Sequence, residues 1–159
     1  MSEERRDRRS ETRRTLMRWG GTMEDIRRLE RERDALRQWA EDARCTLRGR
    51  SLDALPRGGG AHDLSDVVEN AMQRSEMYAR QSQRIDGEIA ERLKLRNAVE
   101  ALVRRLPSVQ ERVIVYRYVE RYPWRNIALR LNYDEGHVRR IETRAVDWIG
   151  QQMEMGEGA

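Results

Sequence analysis

Hydrophobic residues recur through the first two thirds of the chain at a spacing that helices produce. From Met23 onward, Ile26, Leu29, Arg33, Leu36, Ala40, Ala43 and Leu47 step by alternating threes and fours, one stripe of a helix with a polar intruder at Arg33. The stretch "GRSLDALPRGGGAHDLSD" then interrupts the pattern, because Pro56 lacks an amide donor and three consecutive glycines disfavour helix. Asp63 or Ser65 can cap a second, longer helix that runs to about Arg105. Its apolar line is Val68, Met72, Tyr78, Ile85, Ile89, Leu93, Val99, Leu102 and Leu106, with Ser75 and Ser82 as small gaps. Neither helix can bury its stripe alone. A Gly-rich loop at 49–64 favours an antiparallel hairpin over 22–105, and pairing with a second chain satisfies the same pattern.

After this the period is kept but the elements shorten. Leu106-Pro107 ends the long helix, since proline pushes the residue before it toward an extended conformation. Ser108 starts a helix through Val119, with Val113, Val115 or Tyr116, and Val119 on one face. "ERYP" breaks it, and Pro123 suits the first turn of a helix carrying Trp124, Ile127, Ala128 and Leu131. "NYDEG" reads as a turn, and Asp134 can cap a last helix. There Val138, Ile141, Ala145, Trp148 and Ile149 make the buried stripe, while His137, Arg139, Arg140 and Arg144 lie on or near the other side. The ends are different in kind. Residues 1–21 read as a charged flexible arm that "WGG" at 19–21 closes, with Trp19 exposed, and 151–159 as a disordered Gly-rich, acidic tail. The expected fold is all-α, a long antiparallel, coiled-coil-like helical hairpin followed by a small C-terminal helix-turn-helix domain over 106–150.

Composition supports a thin helical protein: 38% of residues are charged, 38% are hydrophobic, and there is no Phe. The charge becomes informative once located. Residues 104–150 hold ten arginines against six acids, whereas 1–103 hold 22 basic and 20 acidic residues. The C-terminal third is therefore where a polyanion would bind. Cys45 is the only cysteine, which excludes an intramolecular disulfide and favours a reducing cytoplasm. No apolar run is long enough to span a membrane, and "MSEERRDRRSETRR" lacks a secretory apolar core. His62 and His137 have no partners at metal-ligand spacing, "RGGGAHD" lacks the Lys-Ser/Thr of a phosphate loop, and no nucleophile stands near a base. No enzyme, metal or cofactor is expected.

The two short helices at 124–148 have the parts of a helix-turn-helix. Small Ala128 lets the second helix cross the first closely, and Leu131 and Val138 bracket the turn. The exposed start of the second helix would enter a major groove with Arg139 and Arg140 near base edges, while Arg144 and Arg125 face phosphates. Glu135 and His137, on its opening turn, complete the candidate DNA-binding set. One physical objection stands. From Asp134 to Trp148 the helix carries four acids against three arginines, so it is not a basic rod. Asp134 and Glu135 suit a helix N-terminus, but would oppose phosphate.

The residues of this third resemble region 4 of sigma-70-type transcription initiation factors. The shared pattern is Leu106-Pro107, Arg117-Tyr118, Trp124, Ile127-Ala128, Val138-Arg139-Arg140-Ile141 and Arg144-Ala145. The resemblance implies a DNA-binding transcription regulator, since in the family region 4 reads the upstream promoter hexamer and docks on the RNA polymerase flap. Two departures bear on readout: Glu135-Gly136 stands where the family usually has Arg-Glu, and Arg140 where Gln is common. An aromatic-rich region 2, which melts promoter DNA, is absent. The arrangement of a hairpin with a Gly-rich loop before a region-4-like end is similar to small phage and prophage regulators of the ArpU-like group. It implies double-stranded DNA and RNA polymerase as partners and the cytoplasm of a bacterial host, while the stripe pattern leaves room for a homodimer through the hairpin and the lack of a long apolar run points to no membrane. Two other readings fit the bare pattern. A small terminase-like DNA-packaging adapter would bind without promoter preference, and a structural coiled-coil protein would show no salt-dependent DNA affinity.

Overall fold

Helix α1 spans Glu3–Arg48 and passes without a break through Trp19-Gly20-Gly21. The computed structural model describes residues 3–48 and 61–156, with the side chains of 46–48 and 61–64 left out. The expected loop at 49–64 therefore lies outside the described residues over 49–60. Four helices follow: α2 Ala61–Val103, α3 Ser108–Ile114 continued by a π-helical turn Val115–Val119, α4 Trp124–Leu131 and α5 Glu135–Gly156. Among the described residues there is no strand, and no helix is long and apolar enough to cross a membrane. The all-α expectation holds, with the two long helices packed against each other.

The charged arm expected at 1–21 is instead helix from Glu3, and its apolar content explains why. Thr12, Thr15, Trp19 and Thr22 carry the three-four spacing of Ile26 to Leu47 back toward the start, and all four are buried together with Leu16. Trp19 is thus core rather than exposed. The glycines are not a helix break but a close approach. A Cβ on Gly20 would stand 1.8 Å from the Tyr118 carbonyl oxygen, so only glycine lets α1 lie against the π-helical turn. Gly150 does the same where α1 passes α5, since its Cβ would meet Thr12 Oγ1 at 2.6 Å.

In α2 the buried line is the expected one only at Ile85, Ile89 and Val99. The helix is already formed at Ala61, upstream of Asp63 and Ser65. Ala71, Ser75, Ser82, Ile85, Ile89, Val99 and Val103 are buried, whereas Val68, Met72 and Leu93 are exposed. The two serines taken as gaps are seam positions. Ser75 Oγ donates to the Ala40 carbonyl at 3.0 Å, and Ser82 Oγ to the Ala79 carbonyl at 2.9 Å. Each small hydroxyl satisfies itself on backbone, so it can sit at a tight crossing without leaving a buried donor unpaired.

The chain divides into two compact units, one formed by residues 25–91 and one by 1–24 with 92–159. In the first, Ile26, Leu29 and Leu36 pack with Ile85 and Ile89, with Tyr78 at the margin. Asp86 accepts from Arg37 at 2.8 Å and lies 3.4 Å from Arg33, while Trp39 leans on Tyr78 with ring centres 5.7 Å apart. Pairing 33 with 86 and 40 with 75 makes the hairpin antiparallel, and it buries its seam within one chain.

The second unit has two apolar clusters that meet α5 at different points along its length. Leu16, Trp19, Val99, Val103, Leu106, Ile114, Tyr118, Ala145, Val146 and Ile149 form one. Val113, Ile127, Ala128, Val138 and Ile141 form the other, with Val109, Tyr116, Tyr122, Trp124 and Leu131 around it. The π-helical turn sets which residues face inward: Val113 is buried as expected, but beyond it Tyr118 is buried and Val119 is 40% exposed. At the other end α5 continues to Gly156, so residues 151–156 of the expected disordered tail are helical. Met153 packs on the first cluster and Glu154 accepts from Arg8 at 2.6 Å.

These packing assignments predict opposite outcomes for one kind of substitution. Gly20→Ala should destabilise by about 1–3 kcal/mol, because backbone has to give way. Gly87→Ala meets nothing within 4 Å on an exposed stretch of α2, and should stabilise by about 0.5–1 kcal/mol through helix propensity. Denaturant unfolding of the two variants beside the unaltered chain measures both.

Candidate nucleic-acid interface

The turn between α4 and α5 is closed from both ends. Asn132 takes the left-handed conformation (φ 56°, ψ 45°), and the Tyr133 amide donates to the Ala128 carbonyl at 3.0 Å, which satisfies the end of α4. Asp134 then caps α5, its Oδ1 accepting from the His137 amide at 2.8 Å, as expected from sequence. Ala128 and Val138 are buried where the two helices cross, with Leu131 packed beside them. α4, a three-residue turn and α5 therefore make a helix-turn-helix whose second helix starts on an exposed face.

The four acids between Asp134 and Trp148 have separate fates. Asp134 is occupied as the cap. Glu135 accepts from Arg139 Nη2 at 2.7 Å on the surface. Glu142 is 2% exposed, which the sequence reading missed. Arg13 of α1 reaches it with Nε at 2.9 Å and Nη2 at 2.7 Å, and the Tyr118 hydroxyl donates to Oε1 at 2.6 Å. Burial, and after it the Glu142 charge, pushes the Tyr118 phenol well above its ordinary range, while the hydrogen bond to Glu142 raises the Arg13 guanidinium further. Asp147 accepts from Arg9 at 2.8 and 2.7 Å and from Arg5 at 3.0 Å. The Arg9 hydrogen bond is the main reason its carboxyl lies below the usual carboxylate range, against the opposing effect of burial.

Two of the acids that made α5 look unsuited to a polyanion are thus matched by arginines of α1. Arg5, Arg9, Arg139, Arg140 and Arg144 line one shallow concavity together with Thr143 and Asp147. Arg140 and Arg144, one turn apart, are exposed and have no ion pair among the described residues. Arg139 is held by Glu135 and lies 5.4 Å from the centre of the Trp124 ring, whose other near neighbour is Arg117 at 4.5 Å. Arg125 is exposed on the first turn of α4 and is not part of the concavity. His137 is half-buried, edge-on to Tyr133 at 4.9 Å. Sequence reasoning brought Arg139, Arg140 and Arg144 together but missed Arg5, Arg9, Arg13 and Glu142. The signal was the threonine-tryptophan spacing of residues 12 to 22, which identifies the preceding turns as packed helix.

The buried pair should be costly to break from one side. Arg13→Ala leaves Glu142 sealed with only neutral donors, and should destabilise by about 3 kcal/mol, the lower end for a broken buried pair because Arg13 is itself part-exposed. In a Glu142→Gln background the same change should cost much less, and a double-mutant cycle by denaturant unfolding tests the difference. Asp147 has a depressed folded-state value, so its contribution is complete above the ordinary carboxylate range near about 4 and is lost as pH falls through the folded value. Stability should therefore be insensitive to Asp147 between about pH 5 and 8, and Asp147→Asn should flatten part of the acid limb of the melting curve.

Residues 102–153 match the family model described as sigma-70, region 4. No curated protein and no solved structure matches the chain. The segment that matches runs from the last residues of α2 into α5, and the helix-turn-helix of α4 and α5 lies within it.

Proposed function

We propose that this protein is a DNA-binding transcription regulator that inserts the first turns of α5 into a major groove. The observation that carries the reading is the region 4 match laid on an α5 whose exposed face presents Arg139, Arg140 and Arg144 around one concavity. Arg139 and Arg140 read base edges, with Glu135 orienting Arg139 through their hydrogen bond. Arg144 and Arg125 take phosphates, and His137 with Tyr133 shapes the rim of the turn. Contact with RNA polymerase belongs to the same proposal and rests on the family, as does a phage or prophage origin, for which the hairpin followed by a region 4 end is the support. The site of action is then the cytoplasm of a bacterial host. Self-association through the hairpin would use its exposed side, Trp39, Met72 and Met77, since the seam is already satisfied.

Selection from a random duplex library by the full chain, sequenced at two salt concentrations, should return an enriched motif. On that motif Arg139→Ala and Arg140→Ala should each cost about 1–3 kcal/mol and relax preference at particular base pairs. Enrichment of no motif, with binding retained, would instead favour a packaging adapter or a regulator whose specificity needs polymerase. Absence of any salt-dependent binding would leave a structural helical protein.

A further inference from the structure

We infer that the first turns of α1 belong to the DNA-contacting surface, with Arg5 and Arg9 taking the sugar-phosphate backbone beside the groove that α5 enters. This rests on the reading of α5 as the groove-entering helix. The two arginines line the same concavity as Arg139, Arg140 and Arg144. They stand one helical turn apart on α1, next to a second pair, Arg140 and Arg144, one turn apart on α5. Five arginines and a single carboxylate, Asp147, line the concavity, so the surface keeps a positive excess after every pair within it is counted.

Docking of α1 does not require these charges. Thr12, Thr15, Leu16 and Trp19 already bury that face of the helix, and Arg13 already anchors it to Glu142. Arg5 remains half-exposed. Its Nη2, and the Nε and Nη2 of Arg9, are directed by Asp147, while the remaining donors of both groups have no protein partner among the described residues. A guanidinium held in place by one carboxylate, with donors left over, is a pre-ordered phosphate ligand that loses little rotamer freedom on binding. The charges on α1 are also sorted. Arg5, Arg9 and Arg13 repeat every fourth residue on the side toward α5, whereas Glu3, Asp7 and Glu11 repeat two positions away, roughly 200° round the helix. DNA approaching α5 meets the arginines and not the acids.

The test uses the full chain and two short duplexes of unrelated sequence, titrated over a series of salt concentrations. R5A/R9A should weaken binding to both duplexes by the same factor and lower the slope of log affinity against log salt by about 2, near 0.9 per phosphate contact. R5K/R9K should retain most of that slope, because point charges still release counterions. Asp147→Asn keeps both arginines, so it should keep the salt slope even where the loss of their shared carboxylate changes the affinity through their ordering. A helical melting curve on each variant reports folding. The inference fails if R5A/R9A keeps the unaltered affinity and slope while Arg140→Ala weakens binding. It fails also if Asp147→Asn lowers the slope as much as R5A/R9A, since the arginines would then act only by holding α1. Absence of DNA binding by the unaltered chain would overturn the groove-entering role of α5 itself, and this inference with it.

Discussion

A carboxylate sealed between two helices is the constraint on which the second unit depends. Glu142 sits at the heart of α5 and cannot stay charged there without donors. Arg13 comes from α1 and the Tyr118 hydroxyl from the π-helical turn, so one acid ties three elements that are distant in sequence. The backbone makes room for this. Gly20 lets α1 lie against the carbonyl of Tyr118, and Gly150 lets it pass α5 at Thr12. A wider crossing would leave Arg13 short of Glu142. Wider turns of this kind recur where a helix has to re-aim a side chain, and here it is Tyr118 that is turned inward.

The same crossing alters the electrostatics of α5. Read alone, the helix is slightly acidic and would repel phosphate. In the folded unit Arg13 and the pair Arg5 and Arg9 match Glu142 and Asp147, while Asp134 is used as the cap. What remains toward solvent without an ion pair on this face is Arg140 and Arg144, beside the exposed pair of Glu135 and Arg139. Exposed pairs such as Arg5 with Asp147 add little stability by themselves, and their larger effect is on the field of the surface. Stability and recognition are therefore supplied by different residues of one helix: the threonines, Leu16 and Trp19 hold α1 in place, and its first arginines set the charge.

The hairpin and the helix-turn-helix were legible because their signals are local. Three-four spacing of Ile, Leu and Val marks a buried stripe, and Pro107, Pro123, the Asn132 turn and the Asp134 cap mark element ends through backbone chemistry that needs no partner. The first turns of α1 were not legible in that way. Thr12, Thr15 and Thr22 occupy seam positions but read as polar, and a pair of glycines reads as a break when nothing shows that another backbone lies against it. In α2 the same confusion displaced the seam, since Ser75 and Ser82 were discounted and Met72 and Leu93 preferred for their size.

By itself, then, the sequence determined the helical class and the placement of the three short elements, which follow from spacing within a few turns, and the region 4 likeness, which rests on residue identities; that the long helices pair within one chain came from the structure. Tertiary structure alone decided that the N-terminal turns pack on α5, that Glu142 is buried and Val119 is not, and that five arginines from two ends of the chain share one surface. Those outcomes depend on which helix meets which, and on how near a glycine lets them come. No local pattern carries that information.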